Sequence, residues 1–83
     1  MSEQEAAQAI SHIPIGSIVQ IVKKDGTITE LMLMSHKISS TEKKDYGNIQ
    51  VPALPPAIIV RGGMRFGNFR LDVADLVNIA WIS

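Results

Sequence analysis

The sequence predicts a mainly β fold, a small five-stranded and strongly bent barrel preceded by a short N-terminal helix. Three features carry that expectation. After residue 16 the apolar residues run in strand-length, β-branched stretches separated by Gly, Pro and Asp-Gly turns. One stretch, Leu31 to Met34, is apolar on both faces, so a sheet containing it must roll up or be covered by a second copy. Finally, 83 residues allow a single domain (1–83) with one small core, so a closed sheet is an economical way to bury it.

The helix is expected within 1–13. Ser2 and Glu5 have capping-box spacing, Ala6, Ala9, Ile10 and Ile13 share one face, and Pro14 stops the helix near His12. About three turns do not persist alone in water, so this helix must dock its apolar face on the β segment. Ser17 to Lys24 reads as the first strand, Asp25-Gly26 as a tight hairpin turn, and Thr27 to Ile38 as a long second strand. In that second strand Leu31 and Leu33 face one way, Met32 and Met34 the other.

The polar stretch 39–48 reads as an exposed mobile loop, with Gly47-Asn48 as turn chemistry and Tyr46 as an exposed contact. Pro52, Pro55 and Pro56 cannot donate to a central ladder, which makes 51–56 an edge or connector. Ala57 to Arg61 is the third strand, Gly62-Gly63 breaks it, and Asn68 to Val73 is the fourth, with Phe69, Leu71 and Val73 inward. Asp72 or Asp75 can cap a single helical or 3₁₀ turn before the last strand, Val77 to Ile82, in which Val77, Ile79 and Trp81 point inward. Five strands so arranged describe a closed barrel.

Composition excludes several classes of function. Eight Lys and Arg balance eight Asp and Glu, so no global field draws the chain to nucleic acid or anionic lipid. With 46% hydrophobic residues and 19% charged, the chain is too apolar for disorder, and its neutrality favours self-association. The absence of Cys removes disulfides and thiolate sites and fits a reducing compartment, so a cytoplasmic location is expected. The acidic start, Ser2-Glu3-Gln4-Glu5, lacks the positive charge of a secretory leader, and no apolar run reaches membrane-spanning length.

Catalysis and metal binding find little support. His12 and His36 stand 24 positions apart with no Cys, so no metal site and no cofactor are expected. Ser35 and His36, adjacent on a strand, would face opposite ways and could not form a nucleophile–base pair. The chain therefore reads as a binding protein rather than an enzyme.

The richest constellation is 61–70, with Arg61, Arg65 and Arg70, Phe66 and Phe69, Gly62, Gly63 and Gly67, and no acid. Arginine pairs phosphates, phenylalanine stacks on bases, and glycine lets backbone amides approach an anion, so the segment suits a single strand or an anionic nucleotide-like ligand. The same residues also serve a purely structural role, with both Phe filling the barrel and the Arg in solvent or paired with Asp72 and Asp75. For self-association the candidate contacts are Met32, Met34, Val77, Ile79 and Trp81, with Trp81 either a barrel plug or the centre of an edge contact.

Two stretches resemble the Sm-like small-barrel family: Ile18-Val19-Gln20-Ile21-Val22-Lys23-Lys24-Asp25-Gly26, similar to its first strand and turn, and Ile59-Val60-Arg61-Gly62, similar to its apolar-apolar-Arg-Gly signature. The resemblance implies a ring of subunits joined edge to edge and single-stranded RNA as partner, with Arg61 and Gly62 the matching motif positions. The chain departs from the family pattern at Glu30, where the family's kinking glycine would fall. No Asp-x-x-x-Asn element follows Leu33, and many residues separate Gly62 from the last strand. Any generic five-stranded barrel shares the remaining features.

Overall fold

The computed structural model describes residues 1–41, 44–47, 49–51 and 53–83, with backbone alone for 41, 44–46 and 49–51. Asn48, Pro52 and the side chain of Tyr46 lie outside the described set.

Helix α1, Glu3–Ile10, begins where the capping residues place it. Ser2 Oγ accepts from the Glu5 N–H and Glu5 Oε1 accepts from the Ser2 N–H, each at 3.1 Å. The Ser2 N–H, and after it the Ser2 hydroxyl, hold the Glu5 carboxyl below its ordinary range. The helix ends at Ile10 with Ser11 as its cap, slightly short of His12. Ala6, Ile10 and Ile13 are buried and Ala9 packs beside them, so docking supplies the stability that eight residues lack on their own. The Met1 ammonium donates to Leu76 O at 2.8 Å and fastens the start of the helix to the last strand.

Strands β1 (Ile18–Lys23) and β2 (Ile28–Leu33) form the expected hairpin around Asp25-Gly26. Gly26 has φ +90°, which a residue with a Cβ adopts only under strain. Asp25 Oδ1 accepts from the Thr27 N–H at 2.8 Å. The Thr27 hydroxyl and N–H, with a smaller contribution from Lys23, hold the Asp25 carboxyl below its ordinary range.

The second strand does not run to Ile38. It stops at Leu33, bends through 34–38 and resumes as β3, Ser39–Thr41. Ser35 Oγ accepts from the Lys37 N–H at 3.1 Å, giving the backbone a local partner in place of the ladder, and His36 Nε2 bonds Ile13 O. Ser35 and His36 thus lie in a bend, not on opposite faces of a strand. Likewise 39–48 is not one open loop: β3 pairs with the sheet, and β4 (Lys44–Tyr46) and β5 (Ile49–Val51) form a separate hairpin around Gly47.

Strand β6, Leu54–Arg61, starts earlier than Ala57 and carries Pro55 and Pro56. The ladder tolerates them because β3 pairs across a register shift, at Ala57 and Leu54, and β7 pairs only with 57–61. Strand β7 is Asn68–Asp72. A 3₁₀ turn, Val73–Asp75, comes next. Asp72 occupies its cap position but makes no side-chain cap bond; the turn is closed by the Leu76 N–H donating to Val73 O. Strand β8, Leu76–Trp81, ends the sheet.

The expected fold class is the one observed: mainly β, a strongly curled antiparallel sheet with one short N-terminal helix. In register, β8 pairs β1, β1 pairs β2, and β6 carries β2 and β3 along one edge and β7 along the other. The curl stops short of closure. Among the described pairings β7 and β8 have no strand on their outer edges, so the sheet is a half-barrel. Its core joins Val19, Ile21, Leu33, Ile58, Val60 and Leu76, all at 0% exposure, to the buried face of α1.

Candidate functional site

Two hairpins stand side by side, the β1–β2 turn and the β6–β7 connection of 62–67. A cavity of about 440 Å³ opens between them. Lys23, Thr27 and Thr29 line one wall, Arg65 and Phe69 the other, and Leu31 and Leu71 form an apolar floor. Among the described residues no carboxylate lines it. Gly62 and Gly63 form part of the wall with φ of +128° and +66°. A Cβ at Gly62 would sit in ordinary contact with Leu31 Cδ2, at 3.4 Å, so it is the positive φ of the turn that calls for glycine here.

The segment 61–70 is divided by the fold. Phe66 is 103% exposed and Met64 102%, so neither fills the barrel; both project from the hairpin tip. Phe69 is half-buried against the core, the structural role expected of both rings. The Arg65 guanidinium lies over the Phe69 ring, 4.6 Å from its centroid, a cation–π contact that orients it beside the cavity. Arg61 is exposed at the end of β6.

Arg70 is occupied structurally. Its guanidinium donates to Ser39 Oγ at 2.5 Å, to Ser39 O at 3.1 Å and to Pro55 O at 2.7 Å. It ties β7 to β3 and to the proline segment of β6 rather than to Asp72 or Asp75. This tie could not be read locally, because Ser39 and Pro55 lie 31 and 15 positions away.

The proposed self-association residues also divide. Ile79 is 7% exposed and belongs to the core, packed across from Ile21. Val77 and Trp81 are 56% and 51% exposed on β8, which has no outer neighbour among the described strands. Trp81 sits across from Val19, at the end of the β1–β8 ladder. Met32 and Met34 are half-buried, while Leu31 and Leu33 on the opposite face are in the core. Ile15 and Ile82, which sequence reasoning did not single out, are about half exposed as well.

A second, smaller depression joins Lys23, Lys24, Asp25 and Asp75. Among the described residues no three His, Asp or Glu side chains converge on a point that could hold a metal ion. No helix among them is long and apolar enough to cross a membrane. No protein-family model, no curated protein and no solved structure matches the chain.

Proposed function

We propose that this chain is a non-enzymatic, homo-oligomeric binding module that assembles through β7 and β8 and acts on a protein or a small anionic ligand in the cytoplasm. The carrying observation is that β7 and β8, the two longest strands with a single described neighbour, leave their outer edges unpaired among the described residues. An open edge presents backbone donors and acceptors to any strand that approaches; β8 carries no proline, and the register shift against β1 at Val77 leaves 78–81 as its regular stretch. The Ile82 N–H donates to Ile18 O, so alternation turns Ala80 and Asn78 toward β1 as well. The backbone groups of Ile79 and Trp81 then face outward. Strand β7, five residues, and β8, six residues, are matched in length, so β7 of one copy can pair β8 of the next. Such head-to-tail pairing closes into a ring when the rotation allows. The resemblance of 18–26 and 59–62 to the Sm-like family favours that ring as the form of assembly.

Light scattering on the full chain at tens of micromolar tests this reading. An assembled species that the double variant Val77→Lys/Trp81→Lys reduces to monomer, with its β circular dichroism retained, supports it; a strict monomer overturns it.

The exposure of Phe66 favours a second reading, binding of single-stranded RNA or DNA. A ring held in water between Arg65 and Gly67, with Arg61 near, is a stacking platform. Arg61, Arg65, Phe66 and Phe69 would carry it. Binding to a random oligonucleotide should weaken steeply with salt and fall with Arg65→Ala.

A further inference from the structure

We propose that the cavity between the two hairpins binds a free small molecule in which an anionic head is joined to a flat unsaturated ring. The inference rests on the binding-module reading and names the ligand class of its cleft. The walls divide by chemistry in a way that matches such a molecule. Lys23 and Thr29 supply a cation and a hydroxyl on one side. Thr27 lies on the same wall, its backbone N–H donating to Asp25 Oδ1. On the other side the Arg65 guanidinium has one face on Phe69, and no carboxylate pairs with it among the described residues. The ring contact restrains the guanidinium beside the cavity it lines, so an anion there meets a partly ordered cation. Leu31 and Leu71 give the ring an apolar floor.

The head and the ring are both required by this arrangement. An inorganic anion would satisfy Lys23 and Arg65 but leave the floor wet, and a neutral ring would cover the floor but leave the Arg65 guanidinium without an anion, Lys23 being shared with the neighbouring carboxylates of Asp25 and Asp75. About 440 Å³ lies within the range of roughly 300–1,000 Å³ usual for small-ligand sites. A polymer is disfavoured by the surroundings. Net charge is zero, and the adjoining depression beside Lys23 carries Asp25 and Asp75, so a polyanion leaving the cavity there meets carboxylates.

The test is an amide-resolved NMR titration of the full chain with five probes: adenosine monophosphate, phenyl phosphate, benzoate, adenosine and inorganic phosphate. The expected result is saturable binding of at least one ring-bearing anion, with the largest shifts at Leu31, Gly62 and Gly63. Adenosine and inorganic phosphate should bind at least tenfold more weakly. Preference for adenosine monophosphate over phenyl phosphate and benzoate points to a nucleotide, and preference for benzoate to an aromatic acid; either supports the proposal. Lys23→Gln and Arg65→Gln should each lower affinity about tenfold while leaving the amide spectrum folded.

Equal binding of ring and head alone, shifts confined to Met64 and Phe66 at the tip, or no binding at millimolar concentrations overturns the proposal. So does a thymidine 10-mer that binds more than tenfold tighter than every small probe. Mass in solution, measured on the same samples, separates the two readings. Assembly without binding defeats the ligand class alone, and binding by a monomer defeats the assembly alone.

Discussion

Under α1 the apolar side chains disappear from water: Ala6, Ile10 and Leu76 are at 0% exposure and Ile13 at 1%. At the hairpin mouth the same kinds of residue stand free, with Met64 and Phe66 as exposed as in an extended chain. The difference arises from what each region has to offer its own core. Residues at helical spacing reach the concave face together, whereas 62–67 turns away from it on glycines of positive φ. A buried Phe is worth about 1.5–3 kcal/mol relative to an exposed one, so Phe66 contributes nothing of that size to the isolated fold and is available to a partner. The two regions are therefore separable, one holding the fold and the other standing outside its core.

The sharpest way to break that comparison is a pair of truncations. Leu33→Ala, at a fully buried position, should lower unfolding free energy by about 2–5 kcal/mol in urea denaturation. Phe66→Ala, which removes more side chain, should change it by no more than about 0.5 kcal/mol. Similar losses for both would mean that the tip belongs to the core.

A second contrast lies between two arginines five positions apart. Arg70→Met leaves Ser39 O and Pro55 O without their charged donor and should cost about 1.5–3 kcal/mol in the same assay. Arg65→Met should move stability by a few tenths, since Arg65 is exposed and its ring contact is with the half-buried Phe69. Its effect should fall on ligand binding instead.

These pairs also mark how far the sequence could be read. Ser2 and Glu5 announced the helix start, and Asp25-Gly26 the first hairpin, because both signals act within four residues. Phe66 and Phe69 could not be told apart, since both come after the same Gly-rich break and only the β6–β7 register sets Phe69 opposite Val60 and leaves Phe66 in the turn. The bend at 34–38 escaped notice because Met34 and Ile38 have strand propensity, while the force that bends the chain comes from β6 pairing both β2 and β3. The Arg70 clamp was hidden for the same reason. Closure was overestimated because alternation reveals which way a residue faces, not whether the last two edges meet.

Smaller effects sharpen the helix-covered side. Ser2→Ala removes a cap and should cost about 1 kcal/mol, read as fraying of α1 in hydrogen exchange at Glu5 and Ala6. The acid response should be slighter still. Glu5 and Asp25 are held below their ordinary values of 4.5 and 3.8 in the folded chain. Their contribution is complete above those values and drains away as pH falls through the lowered folded ones. Melting temperature should thus decline below about pH 4, and the double variant Glu5→Gln/Asp25→Asn should flatten that decline.

The central claim, that two open strand edges are there to be joined, is tested most directly by light scattering on the unmodified chain at tens of micromolar beside Val77→Lys/Trp81→Lys. The expected result is a discrete multiple of the 9.1 kDa chain for the first and a folded single chain for the second. A folded 9.1 kDa species for both contradicts it.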